Sequence, residues 1–136
     1  MNVFFDVDFT ILGLDGSLRP GTVEVFEQLL AADHTLYIWS GVGDRSHDVQ
    51  RKGLDSYVRG VFQKPLHHFD EGLARYGVPV IPDFVIDDYP EIVRHFGGFL
   101  ISPYVNGNTV DDQLFLVPEL VEAKRQSLST PSPDPL

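Results

Sequence analysis

Hydrophobic residues fall into short unbroken runs and helix-spaced stretches, each closed by a polar or glycine-rich break. The first run, Asn2–Phe5 (NVFF), stops at Asp6. A turn-rich stretch from Leu12 to Gly21 follows, after which Val23, Phe26, Leu29 and Leu30 recur at helical spacing. Leu36–Trp39 (LYIW) ends at Ser40-Gly41, and Asp44 is placed to cap a helix reaching Leu54. Tyr57–Phe62 (YVRGVF) predicts a third strand that ends at Gln63-Lys64-Pro65. Leu66 to Tyr76 reads as a helix stopped by Gly77 and Pro79. Phe84–Ile86 (FVI) runs into Asp87-Asp88, Pro90 opens the next helix, and Phe99–Ile101 (FLI) is a fifth strand. A last helix is predicted within Leu114 to Leu128, starting near Pro118, and the polar, proline-rich STPSPDPL from Ser129 reads as a disordered tail.

Strands alternating with helices predict an α/β fold: a three-layer, doubly wound, Rossmann-like and mainly parallel sheet, in one domain over residues 1–128 with a tail over 129–136. Ligands of such sheets bind beyond the carboxyl ends of the strands. Four strand ends carry similar punctuation: Asp6-Val7-Asp8, Ser40-Gly41, Lys64-Pro65 and Asp87-Asp88. The fold therefore collects all four groups at one edge of one sheet.

Composition narrows the chemistry. With 43% hydrophobic and 22% charged residues, the 136-residue chain is composed like a globular protein. It has no cysteine, which excludes disulfides, thiolate zinc sites and a cysteine nucleophile. Its net charge of −10 lacks the basic surplus that non-specific nucleic-acid binding requires. No apolar run approaches the roughly 20 residues of a membrane span. The first residues carry no basic region and reach Asp6 at once, so no secretory signal is expected and the cytoplasm is the expected compartment.

The order Asp6-Val7-Asp8-Phe9-Thr10, then Ser40, Lys64 and Asp87-Asp88, resembles the motif series of haloacid dehalogenase (HAD) superfamily phosphatases, which open with DxDxT. The resemblance covers about residues 2–101 and implies a phosphomonoester hydrolase acting through an aspartyl-phosphate on Asp6. Residues i and i+2 of an extended segment point the same way, so Asp6 and Asp8 can face one reacting group. A carboxylate is ionised at neutral pH and needs no base before attacking phosphorus. The resemblance makes Asp8 the acid and base, and Ser40, Gly41 and Lys64 the phosphate cradle. It implies Mg²⁺ held by the Asp6 side chain, the Asp8 backbone carbonyl and the Asp87-Asp88 pair, with Asp88 the closer ligand. Charge agrees with this: several carboxylates and a phosphate dianion repel by about 4 kcal/mol per close pair, so cations must join them. Oxygen ligands without thiolates suit Mg²⁺.

The intervals between Asp8 and Ser40 and between Lys64 and Asp87 each hold one helix with its connections and leave no room for a cap domain. An uncapped site suits a large or macromolecular phosphorylated substrate, or a second copy of the chain supplies the cover in a homo-oligomer. The glycine-bearing flap Ile11 to Gly21 is free to move over the site on this reading. Thr10 is expected to orient the first loop, with Arg45 and His47 as secondary candidates for the leaving group. Trp39 reads as core, His67 and His68 as surface or packing residues, and Asp111-Asp112 as a solvated helix start. Two other readings compete: a non-catalytic regulatory or binding module on the same scaffold, and a receiver-like phospho-acceptor domain. The receiver reading is disfavoured because the acidic pair here follows the Lys-Pro.

Overall fold

The computed structural model describes residues 1–129, so the expected tail lies outside the described residues apart from Ser129. Strands β1 (Asn2–Asp6), β2 (Thr35–Ser40), β3 (Gly60–Gln63), β4 (Phe84–Asp87) and β5 (Gly98–Leu100) alternate with helices α1 (Thr22–Ala31), α2 (Ser46–Arg51), α3 (Phe69–Arg75), α4 (Pro90–Phe96) and α5 (Val117–Ser129). The strands form one sheet in the order β3-β2-β1-β4-β5, every neighbour parallel. Such a sheet must be covered on both faces. Val3 and Phe5 of β1 point into a core shared with α1 and α5, while Phe4 points to the opposite side with Leu73 of α3 and Ile92 of α4. This is the α/β arrangement that the runs predicted, with β1 at the centre.

Several boundaries differ from the sequence reading, among them β5, which starts and ends one residue earlier than Phe99–Ile101. Tyr57 lies in a 3₁₀ turn (Asp55–Tyr57) rather than a strand, and β3 starts only at Gly60. Tyr57 and Val58 owe their apolar character to packing on the α1-side core from that connection. Helix α2 begins at Ser46, because the Asp44 carboxylate accepts the Ser46 N–H at 2.9 Å in a turn before the helix. It ends before Gly53, whose φ of +70° continues no helix. Helix α3 starts at Phe69, three residues later than Leu66, after His68 in a left-handed conformation.

The flap is not a free loop. Leu12 bridges Leu18 across it, the Leu14 N–H donates to Val105 O at 2.6 Å, and the Ser17 and Tyr104 hydroxyls lie 3.0 Å apart. The segment after β5 thus braces the flap.

Candidate functional site

Asp6 is the last residue of β1 and is buried. Lys64 Nζ donates to its Oδ1 at 3.0 Å, and Thr10 Oγ1 donates to its Oδ2 at 3.2 Å. Lys64 follows β3 directly and also donates to Asp87, at 3.2 Å to Oδ1 and 3.0 Å to Oδ2. The Tyr89 N–H donates to Asp87 Oδ1 at 3.0 Å. One ammonium therefore joins the acids that end β1 and β4. Lys64 is anchored at both sides: its N–H donates to Ser40 O at 2.8 Å, and Pro65 packs under α3 at Gly72. A Cβ on Gly72 would lie 2.3 Å from Pro65 Cβ, so only glycine allows that approach.

Asp6, Asp87 and Asp88 each offer a carboxylate oxygen, all within 4.8 Å of one another. This mostly buried cluster can hold a divalent cation, and its hard oxygen donors and lack of sulfur or imidazole fit Mg²⁺ or a similar ion. The electrostatics state the same need. Burial raises the Asp6 carboxyl well above its ordinary range, and the Asp87 charge adds to this against the lowering by Lys64. Burial also raises Asp87, again against Lys64. Burial alone would push Lys64 down, but the charges of Asp6 and Asp87 outweigh it and hold the ammonium above its ordinary value. Burial outweighs the one lysine, which does not bring either acid back to its ordinary range.

Asp8 stands apart from this cluster. Its Oδ2 accepts from Arg45 Nη1 at 2.6 Å, and Arg45 Nε reaches Asp48 Oδ2 at 2.6 Å. The turn that follows Asp8 is tight. Phe9 has a φ of +65°, and the N–H groups of Thr10, Ile11 and Leu12 all converge on Val7 O at 3.0–3.2 Å. A left-handed phenylalanine costs of order 1 kcal/mol and persists only where its surroundings hold it. Arg19 does so from beneath: its guanidinium donates to Phe9 O and Thr10 O at 3.3 Å each, and to Ser102 O at 2.8 Å. Its charge is met by Asp111 at 2.8 and 3.0 Å. Asp111 is thus the partner of a buried arginine, not a solvated acid. Neither residue signalled this in the sequence, because 92 positions separate them and each type is ordinarily exposed.

Asp6, Asp8, Ser40, Gly41, Lys64 and Asp88 line one cavity of about 260 Å³, while Asp87 lies fully buried behind it. Ser40 is buried and its Oγ accepts the Val42 N–H at 3.2 Å. Because α2 begins at Ser46, Gly41 belongs to the loop and any anion there would meet loop amides rather than a helix end. Trp39 is core, its ring 4.5 Å from Phe4, and His67 and His68 are exposed. His47 is exposed and lines neither this cavity nor the larger cleft beside Asp8.

No helix among the described residues is long and apolar enough to cross a membrane. No family model matches the chain, and no curated protein does. Its fold is similar to the crystal structure of an uncharacterized protein from Listeria monocytogenes serotype 4b, with a TM-score of 0.66 over 92% of this chain and 98% of that one. At 12% identity that likeness speaks for the fold alone.

Proposed function

We propose that the protein is a Mg²⁺-dependent phosphomonoester hydrolase of the HAD type, without a cap, working through an aspartyl-phosphate on Asp6. The observation that carries the reading is the convergence of Asp6, Asp8, Ser40, Lys64 and Asp88 on one cavity from the ends of different parallel strands. Asp6 and Asp88 would hold the cation with the Asp8 backbone carbonyl. Asp87 acts one step behind, since both its oxygens are taken by Lys64 and the Tyr89 N–H. When bound, the cation neutralises phosphate charge and polarises the phosphoryl oxygens.

A carboxylate oxygen of Asp6 attacks phosphorus and the bond to the leaving oxygen breaks, with Asp8 giving that oxygen its proton. Asp8 then takes a proton from water, the hydroxide attacks phosphorus, and the Asp6–phosphorus bond breaks to release phosphate. Lys64 stabilises charge on the transferring group and orients Asp6, while Ser40 and the loop amides hold the remaining oxygens. Arg45 fixes Asp8 by one oxygen and leaves the other for proton transfer. The partner is a phosphorylated substrate that enters without passing a cap, in the cytoplasm.

Hydrolysis of an aryl phosphate with Mg²⁺, with a chelator, and by Asp6→Asn tests the reading. Turnover is expected only in the first case. Wild-type turnover in either of the others overturns it, and cation binding without any turnover favours the non-catalytic module instead.

A further inference from the structure

A second cavity of about 460 Å³ opens from the first and shares Asp8 and Phe9 with it. One wall is the flap, with Gly13, Leu14 and Asp15; the other is α2 and the residues flanking it, with Arg45, Arg51 and Lys52. Both walls are tied to the rest of the fold. The flap is braced at Leu14 by Val105, and α2 is tied to Asp8 through Arg45. The cleft is therefore preformed, and its volume lies in the range of small-molecule sites, roughly 300–1,000 Å³.

Its charges are unevenly committed. Three of the chain's ten Lys and Arg residues line this cleft, in a protein of net charge −10. The acids beside them each have a hydrogen-bond partner: Asp8 and Asp48 share Arg45, and Asp15 Oδ1 accepts from the Ser17 hydroxyl and N–H at 2.6 and 3.1 Å, so three acids and three bases balance in the lining while their contacts are unequal. Arg51 acts on Asp48 only through space. Among the described residues neither Arg51 nor Lys52 forms a salt bridge. Two cations without a direct ion-pair partner thus stand in a cleft that begins at Asp8.

Resting on the phosphatase reading, we infer that this cleft binds the leaving group of the substrate, and that the leaving group is a small molecule carrying a second anionic group met by Arg51 and Lys52. The substrate class is then a compact phosphomonoester with a carboxylate or a second phosphate. This narrows the expectation drawn from the missing cap, because the flap and α2 enclose the leaving group themselves.

Matched substrates test the inference. Turnover of 3-phosphoglycerate is compared with glycerol 3-phosphate, and of fructose 1,6-bisphosphate with fructose 6-phosphate; the pairs separate carboxylate from phosphate as the second anion. In at least one pair the doubly anionic ester should have a kcat/KM higher by about tenfold or more, given the strength of hydrogen bonds to charged groups. The preference should shrink with added salt, since both cations are at least partly exposed. In the double variant Arg51→Gln/Lys52→Gln the ratio should fall close to one. Calorimetric binding of the same esters to Asp6→Asn, with Mg²⁺ and with and without the two Gln changes, reads the cleft independently of turnover. Discrimination in binding with no turnover by the wild type keeps the cleft and overturns the phosphatase reading. Turnover without discrimination in either pair overturns the cleft alone. Absence of both overturns both, and a phosphopeptide hydrolysed faster than every small ester overturns the small-substrate class.

Discussion

Arg45 lies 2.6 Å from the Asp8 carboxylate and joins it to α2 through Asp48, so a carboxylate lining the candidate site is positioned by a helix that begins 38 residues later in the chain. On the proposed mechanism, Arg45→Gln should reduce kcat by about 10- to 100-fold, as expected when a reacting group is misplaced by around an ångström. Arg45→Lys should restore part of the loss, and the pH profile of kcat should change shape. An unchanged profile at wild-type kcat would show that Asp8 works without this contact.

Removing Lys64 leaves two buried carboxylates without their shared cation. Lys64→Met should cost about 3–5 kcal/mol in urea unfolding, as for breaking one side of a buried ion pair. Mg²⁺ should recover more stability in this variant than in the wild type, since the ion takes over the missing positive charge. Equal gains in both proteins would place the cation elsewhere.

Metal-free stability should fall as pH rises from mildly acidic to neutral. Asp6 and Asp87 have folded values raised above their ordinary 3.8, so the fold keeps protons that the unfolded chain has lost. Their contribution is complete below about 3.8 and disappears as pH climbs through the raised values. Lys64, held above 10.5, keeps its contribution throughout this window. Thermal melts in chelator from pH 4.5 to 8 should show a steeper decline for the wild type than for Asp6→Asn, and saturating Mg²⁺ should reduce the difference. A steeper decline in the variant would reverse the assignment.

The Arg19–Asp111 pair should behave as a structural brace. Arg19→Met should destabilise by about 3 kcal/mol and lower activity, because Asp111 loses its partner and the Phe9 turn loses its support. Adding Asp111→Leu should recover much of the stability, and a double-mutant cycle by urea unfolding measures the coupling. Additive losses would show that the two residues act separately.

Much of this architecture is legible in the chain because parallel strands buried on both faces leave continuous apolar runs, as NVFF and LYIW do. Asp6, Ser40, Lys64 and Asp87 could be placed because each ends or follows such a run, and parallel strands deliver their ends to one side. Tyr57 misled because an aromatic residue packed from a 3₁₀ turn looks like one in a strand. The flap's fixity was hidden in residues 104 and 105, whose contacts run through backbone atoms and one hydroxyl. The Arg45–Asp8 link and the Arg19 brace depend on pairings across distant segments, which no local pattern encodes.

Gly98 tests the sheet itself. A Cβ there would sit 1.9 Å from Val85 O and 2.6 Å from Val85 N, against backbone that cannot swing aside. Gly98→Ala should therefore destabilise by at least about 2 kcal/mol by forcing β5 away from β4. A melting temperature within a degree or so of wild type would mean that the strand accommodates the methyl group.

The carboxylates and the ammonium are not supported equally. Asp6 and Asp87 end inner strands, whereas Lys64, for all its ties to Ser40 and through Pro65 to α3, follows an outer strand only four residues long and partly exposed. Outer strands are the first to fray. Gentle warming should thus loosen β3 before β1 and β4, so the Lys64 contacts to Asp6 and Asp87 should be lost in a range where the rest of the sheet is still folded.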